Sequence, residues 1–245
     1  MKTTSETPRL LVAATGFRKF ILPVVFAIAS QGLHAQDKKD KKEPPPPTCF
    51  IRIANTVAPG TGNVKVEVDG KDVYPPGYKF GAVTGGIGLP PGNHSVTISR
   101  EGVKEGTSKV TLDKDQTVTL IPFAEKVPAT DQEPAHFEVR IMRLKQKEVQ
   151  EGRSASFISV SGQPELNVEL RDPAGKWAKI FVKRLTIGEA PIRYPEGYAP
   201  VRVNGKDMES IPIGDTGNYV IVLYDDAEGV LHSVCFRDFK FLSAD

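Results

Sequence analysis

Apolar side chains recur at every second position over much of this 245-residue chain, and this period constrains the fold more than any other feature. Successive side chains of a β-strand point to opposite faces, whereas an amphipathic helix repeats after about 3.6 residues. The alternation is clear at 64–68, 96–98 and 118–120. Turn sequences rich in Pro, Gly, Asn and Asp separate such runs roughly every 8 to 12 residues. The pattern predicts an all-β fold.

Two runs in the second half are apolar at consecutive positions. They are WAKIFV, at 177–182, and YVIVLY, at 219–224. A strand that is apolar on both faces is typical of a position between two packed layers. We therefore predict that both runs are central strands.

The strand pattern is interrupted once, by a polar segment that contains two prolines. This break predicts two immunoglobulin-like β-sandwich domains, preceded by an export signal and a disordered tether. The predicted segments are a signal peptide at 1–35, a charged and proline-rich tether at 36–48, a first sandwich at 49–124, a linker at 125–134 and a second sandwich at 135–245.

The amino-terminal segment has the pattern of a secretory signal. Arg18 and Lys19 precede an apolar run of 11 residues at 20–30. Small residues offer cleavage sites at Ala29 and Ala35, of which Ala35 is favoured. A membrane-spanning helix needs about 18 or more apolar residues, so an uncleaved anchor is the weaker alternative. We expect contact with the membrane only through this signal, and a mature protein in the periplasm, outside the cell or at its surface.

The charge balance argues against nucleic acid as a partner. The formal net charge is +2, but the predicted signal holds four basic side chains and one acidic side chain, so its removal leaves −1. Binding to phosphates needs a clustered positive field. The tether sequence DKKDKKEPPPPT, at 37–48, has no large apolar residue, and therefore predicts disorder.

A turn signature occurs twice, in opposite order. VDGKDVYPPGY occupies 68–78, whereas YPEGY at 194–198 precedes VNGKDM at 203–208. Asp-Gly and Asn-Gly favour tight hairpin turns because both central residues of the turn need positive φ. The alternative is that aromatic faces near these turns bind carbohydrate or peptide. The candidate binding residues are Tyr74, Tyr78, Trp177, Tyr194 and Tyr198.

The chain has two cysteines, Cys49 and Cys235. Export would permit a disulfide between them, which would tie the two predicted domains together. Two buried free thiols are the other alternative, because strand periodicity does not give the distance between the two α-carbons.

No motif indicates catalysis, a metal site or a cofactor. His232 and Cys235 are three residues apart on a predicted strand and so face opposite sides, which prevents joint coordination of a metal. The sequence GRSAS, at 152–156, lacks the second glycine of a nucleophile elbow. We therefore predict a protein that is not an enzyme, with an unrecognised hydrolase as an alternative.

The first predicted domain resembles known exported β-sandwich modules over 49–124. The resemblance lies in IRIANT at 51–56, VKVEVDGKDV at 64–73, LPPGNHSVTISREG at 89–102 and KVTLDKDQTVTL at 109–120. These runs resemble a secreted bacterial domain of unknown function. They are also similar to the PEGA domain, which shares the D-G-K hairpin and the G-x-H/Y-x-V strand. The overall plan is similar to that of the periplasmic alginate O-acetylation accessory protein F.

These resemblances imply an exported, non-catalytic structural or binding module whose partner is an envelope protein or a polysaccharide. An accessory role in the O-acetylation of an alginate-like exopolysaccharide is the alternative that the second resemblance implies.

Overall fold

The alternating runs form eighteen strands in the computed structural model, which describes residues 48–149 and 151–241; this part of the chain contains no helix. The all-β prediction is confirmed. The strands of the first half are β1 (Cys49–Ile53), β2 (Thr61–Val68), β3 (Lys71–Asp72), β4 (Ile87–Leu89), β5 (Gly92–Glu101), β6 (Val103–Leu112), β7 (Thr117–Val127) and β8 (His136–Lys145). Those of the second half are β9 (Arg153–Ser159), β10 (Glu165–Arg171), β11 (Trp177–Lys183), β12 (Ile187–Pro191), β13 (Gly197–Ala199), β14 (Val201–Val203), β15 (Lys206–Asp207), β16 (Ile211–Ile213), β17 (Gly217–Asp225) and β18 (Leu231–Asp238).

The first half is one sheet that folds over itself. Its strand order is β3-β2-β5-β6-β8-β7-β1-β4, and the join between β6 and β8 is a single register pair, Lys104 with Glu138. The sheet therefore makes two layers, β3-β2-β5-β6 and β8-β7-β1-β4. Valine, isoleucine and leucine side chains from both layers form a shared core.

The second half is a sandwich of two separate sheets. One has the order β11-β10-β14-β15 and the other β12-β9-β17-β18, with a small β13-β16 pair beside them. Phe157, Leu166 and Leu223 lie fully buried in the core between the two sheets.

A third apolar cluster joins the two halves into a stack of four β-layers. Ile121 and Phe123 of β7 pack there with Val220, Val222 and Tyr224 of β17. Every residue of β17 except the last is buried, because one face packs on the second core and the other on this cluster. The predicted central position of YVIVLY is therefore confirmed.

The same prediction for WAKIFV is wrong. β11 is the outermost strand of its sheet, and Phe181 is 64% exposed. Its apolar residues on one face, Ile180 and Val182, pack on the second core, whereas the opposite face of the strand is open to solvent.

The predicted linker at 125–134 does not separate the two sandwiches. It includes the end of β7 and most of the loop to β8. These two strands pair along their length in the same sheet, from Val118 opposite Lys145 to Val127 opposite His136. β8 therefore belongs to the first sandwich, and the chain crosses to the second between Lys145 and Arg153. The described residues form one compact unit, and the division into two domains stays a prediction.

The predicted signal peptide at 1–35 and nearly all of the predicted tether at 36–48 lie outside the described residues. In the part of the chain that the structure describes, no helix has the length and apolar character needed to cross a membrane.

Candidate functional site

The two repeated turn sequences form equivalent hairpins. Asp69-Gly70 connects β2 to β3, with φ values of 51° and 75°, and Asn204-Gly205 connects β14 to β15, with φ values of 51° and 78°. Positive φ at both central residues matches a type I′ turn. The interpretation of these sequences as hairpin turns is confirmed.

Each hairpin is fastened to the neighbouring strand by the same pair of bonds. The Asp69 N–H donates to Ser95 O at 2.9 Å, and the Ser95 N–H donates to Asp69 Oδ1 at 2.9 Å. The Asn204 N–H donates to Asn167 O at 2.8 Å, and the Asn167 N–H donates to Asn204 Oδ1 at 3.0 Å. The side-chain oxygen of Asp69 or Asn204 therefore accepts a backbone N–H of the neighbouring strand and holds the turn on the sheet, which is a structural role.

Each hairpin also has a side-chain partner of its own: Asn204 Nδ2 donates to Gln163 Oε1 at 2.9 Å, and Asp69 contacts the buried His94. Its Nδ1 lies 2.8 Å from Asp69 Oδ2. This hydrogen bond raises the pKa of His94, whereas the Ser95 N–H and then His94 lower the pKa of Asp69. His94 also contacts Pro90 O at 2.8 Å, so both ring nitrogens have partners in the fold.

The four tyrosines that flank the Tyr-Pro-x-Gly-Tyr turns do not form one surface. The rings of Tyr74 and Tyr78 are 5.2 Å apart in the first sandwich, and Tyr78 packs on the first core. Tyr194 packs on the second core, while Tyr198 is 70% exposed. Two of these side chains therefore fasten their turns to a core, and no ring contact joins the two pairs among the described residues.

The fifth candidate, Trp177, is occupied by neighbouring cations. The guanidinium of Arg202 lies 4.2 Å from the centre of the Trp177 ring, and that of Arg171 lies 5.8 Å from it. A sugar would have to displace Arg202 to stack on the same face of the ring. Trp177 therefore packs within its own sheet in this structure.

The two cysteines are both free. Cys49 is fully buried in the first core, and its Sγ lies 3.1 Å from Leu89 O. Cys235 lies on β18 against the second core, and burial raises its pKa to about 12. In this structure Cys49 and Cys235 are therefore two free thiols and do not form a disulfide.

The junction of the two halves contains a cleft with a volume of about 480 Å³, which we call the junction cleft. Its lining includes Phe123 from β7, Phe137 from β8, Val160 after β9 and Tyr224 from β17. Clefts of this size at the boundary between two packed units are common ligand-binding sites. The cleft contains none of the five aromatic residues predicted from the sequence.

Charged groups line two sides of the junction cleft. Glu125 and Arg184 pair at 2.5 Å, and Arg184 also donates to Ser161 O at 2.9 Å. On the other side, the Gly162 N–H donates to Asp225 Oδ2 at 2.7 Å. Asp225 Oδ1 is buried and has no hydrogen-bond partner among the described residues. A buried carboxylate oxygen without a donor is uncommon, and Asp225, which lines the cleft, therefore has unused acceptor capacity.

The adjacent Asp226 is fully engaged by its own turn. It accepts hydrogen bonds from the N–H groups of Glu228, at 3.0 Å, and Val230, at 2.8 Å, and lies 2.8 Å from His232 Nε2. The His232 hydrogen bond, followed by that from Val230, lowers the pKa of Asp226. This carboxylate therefore has a turn-capping role.

A second feature that the sequence did not reveal is the environment of Arg52. The alternation of Ile51 and Ile53 around it is typical of a strand with one polar face, yet Arg52 is only 2% exposed. Its guanidinium lies 4.7 to 5.0 Å from three ring centres, those of Phe236, Phe239 and Phe241. We call this group the arginine cage.

The arginine cage also contains Asp238, whose Oδ1 lies 3.9 Å from Arg52 Nη1. Burial lowers the pKa of Arg52 and raises that of Asp238. Arg52 Nη1 donates to Arg237 O at 3.2 Å. The cage thus joins the first strand to the last strand and the residues that follow it, which is a structural role.

Neither the junction cleft nor the arginine cage has a local sequence signal. Glu125 lies in the segment predicted as a linker, and Asp225 is the last residue of β17. Both features exist because β7 and β1 of the first sandwich face the second sandwich, a contact that residue periodicity does not specify.

Comparison with known families supports part of this description. The family model described as PEGA domain matches residues 61–126, from the start of β2 to the last residues of β7, and leaves β1 outside. No curated protein matches the chain. PEGA domains occur in secreted and periplasmic proteins, which fits the predicted location outside the cytosol. The predicted PEGA resemblance is thus confirmed, and the β2–β7 region of this chain is similar to a PEGA domain, a β-rich module of the extracellular or periplasmic type.

Proposed function

We propose that the chain is an exported, non-catalytic binding module whose junction cleft holds a sugar unit of an envelope polysaccharide. The observation that carries this proposal is the Asp225 carboxylate, which lines the cleft and has one hydrogen-bond donor, the Gly162 N–H, among the described residues. An ionised carboxylate can accept several hydrogen bonds, so Asp225 has acceptor capacity left for a sugar hydroxyl.

The remaining lining suits the same ligand. Arg184 supplies N–H donors, and Glu125 and Asp225 supply acceptors, so both kinds of hydroxyl contact are available. Phe137 is partly exposed at the cleft and offers an apolar ring face to the C–H groups of a sugar.

The four-layer stack supports recognition rather than a moving lid. Phe123, Val160 and Tyr224 line the cleft and also belong to the third apolar cluster, so its floor is part of a packed core. Because closely packed interiors resist deformation, the cleft needs little reorganisation to bind.

The proposal is tested with a glycan array, followed by titration calorimetry on the best glycan. We expect Asp225→Asn to weaken binding about tenfold, since hydrogen bonds to charged groups contribute roughly 1.5 to 3 kcal/mol. Asp207→Asn is the matched control, because Asp207 is an exposed carboxylate on β15 and does not line the cleft. Binding that both variants weaken equally, or no binding to any glycan, would contradict the proposal.

The array should include uronate polymers with and without O-acetyl groups. Selective binding of these polymers would support the accessory role in exopolysaccharide O-acetylation that the overall plan implies. A pull-down from envelope extract addresses the other proposed partner, an envelope protein. Protein capture that Asp225→Asn leaves unchanged would move the binding site away from the junction cleft.

A further inference from the structure

β11 has one open edge. All seven of its residues, from Trp177 to Lys183, pair with β10, and no other described strand pairs with its far side. Gly188 of β12 lies so close to β11 that an added Cβ would be 2.8 Å from Val182 Cγ2 and 2.9 Å from Ile180 Cγ2. The neighbouring sheet therefore covers the inner face of β11, while the N–H and C=O groups along its edge have no strand partner among the described residues.

Open strand edges are templates for pairing with another chain, and proteins often shorten, bend or cover them. β11 is long for an edge strand and contains neither proline nor a register shift. Its Phe181 is 64% exposed at the outer face of the sheet. This edge therefore lacks several of the features that usually prevent an edge strand from pairing with another chain. Its lysines are the one such feature that it has.

The side chains of β11 are complementary to those of a second β11. Consider a second β11 that runs antiparallel to the first, with Ile180 opposite Ile180 of the other copy. Trp177 of each copy then lies opposite Lys183 of the other, and Lys179 of each lies opposite Phe181 of the other, so each pair occurs twice. The two Lys179–Phe181 pairs bring a lysine ammonium beside an exposed aromatic ring, a favourable contact, whereas the Trp177 ring already has Arg202 at 4.2 Å from its centre. On the inner face, Ile180 meets its own copy and Ala178 meets Val182, so all contacts there are apolar.

The lysines exclude the neighbouring registers. A shift of two residues in one direction places Lys179 opposite its own copy, and the same shift in the other direction places Lys179 opposite Lys183. Like charges directly opposite each other destabilise a strand pair. A shift of one residue would turn apolar side chains to the wrong face. The edge lysines thus select one register rather than preventing all pairing.

We propose that a second copy of this chain docks on β11, so that two β11-β10-β14-β15 sheets join as one continuous eight-stranded sheet with twofold symmetry. The contact is isologous, since the same strand serves both copies, and it closes at two chains. The proposal is independent of the ligand in the junction cleft.

Sedimentation velocity of the purified chain over a range of micromolar concentrations tests this dimer. We expect Phe181→Lys to weaken the dimer about tenfold, because two lysine pairs then face each other, and Phe181→Glu to retain it through pairing with Lys179. Added salt should strengthen the Phe181→Lys dimer and weaken the Phe181→Glu dimer. Tyr198→Lys replaces another exposed aromatic residue and should leave the equilibrium unchanged. A parent chain that remains monomeric, or a dimer that responds equally to both Phe181 variants, would overturn the proposal.

Cysteine substitution tests the register. Opposite residues in an antiparallel pair have α-carbons about 4.5 to 5.5 Å apart, within the range of a disulfide. We expect Ile180→Cys to form a linked dimer on mild oxidation, and Lys179→Cys to form none, since its own copy lies diagonally at about 7 to 8 Å. Linking of Lys179→Cys but not of Ile180→Cys would overturn the stated register. The parent chain, with Cys49 and Cys235 both present, is the background control.

Discussion

Two clusters in this molecule combine arginine, aromatic rings and aspartate, and they differ chiefly in burial. In the arginine cage, Arg52 and Asp238 are 2% and 1% exposed, and three phenylalanine rings surround the guanidinium. On the outer face of the second sandwich, Arg202 lies over Trp177 and pairs with Asp207 at 2.6 Å, with 37% and 78% of these two charged side chains exposed.

Contact geometry alone does not show which of the two clusters contributes more to the stability of the fold. The exposed pair has the shorter distance and an N–H donor aimed at an oxygen, while the buried pair is 3.9 Å apart and Asp238 Oδ1 has no hydrogen-bond partner among the described residues. Solvent water can take the place of a missing partner at the surface, but not inside the cage. Removal of one partner is therefore costly only in the buried cluster.

The largest expected effect follows from removing the buried cation. Arg52→Ala should lower the free energy of unfolding by about 3 to 5 kcal/mol, because it leaves Asp238 buried without a counter-ion. Urea denaturation followed by tryptophan fluorescence measures the change. A loss below about 1 kcal/mol would place Arg52 in the same class as Arg202 and remove the distinction between the clusters.

A less severe disruption acts on the wall of the arginine cage. An added Cβ at Gly86 would lie 2.7 Å from the Phe241 ring, so Gly86→Ala should displace this ring and cost roughly 1 to 3 kcal/mol. Gly85→Ala is the matched control, since nothing lies within 4 Å of its added Cβ. Equal unfolding midpoints for the two variants would indicate that Phe241 does not support the cage.

The dependence of stability on pH sharpens the comparison further. Burial raises the pKa of Asp238 above its ordinary value of 3.8, so between 3.8 and the raised value the folded state binds more protons than the unfolded state. The stabilisation that comes from protonated Asp238 is therefore fully present below pH 3.8, and it is lost as the pH rises through the raised pKa. Asp238→Asn removes this loss.

The measurement is the unfolding free energy of the parent and of Asp238→Asn over a series of pH values. We expect the difference between them to change in favour of the variant as the pH rises above about 4. A difference that is constant, or that moves in favour of the parent, would contradict the assigned effect of burial on Asp238.

The smallest effect is expected at the exposed cluster. Arg202→Ala should change the free energy of unfolding by no more than about 1 kcal/mol, because exposed ion pairs and cation–π contacts contribute little. It should also uncover one face of Trp177, which a red shift of the fluorescence emission would report. A loss comparable with that of Arg52→Ala would show that burial is not what separates the clusters.

The sequence was informative where a local pattern determines the structure. The Asp69-Gly70 and Asn204-Gly205 turns followed from the need for positive φ, and the burial of β17 followed from an apolar run with two apolar faces. Both depend on residues that are neighbours along the chain.

The sequence failed where the structure depends on which surfaces meet. β11 has nearly the same apolar density as β17 but lies at a sheet edge, and an edge position has no periodic signal of its own. Arg52 follows the expected alternation, but its supposedly polar face meets the second sandwich. Glu125, Arg184 and Asp225 of the junction cleft come from β7, from the segment after β11 and from the end of β17, which approach only after both halves have packed.

The arginine cage joins residue 52 to residues 236–241, so its two parts are almost as far apart in the chain as the described structure permits. Proteins are synthesised from the amino terminus, and early segments fold before later ones exist. The guanidinium of Arg52 must therefore wait, without its rings, until residues 236–241 have been made. Completion of the cage would report that synthesis has passed residue 241, and a chain truncated after residue 235 would lack all three rings.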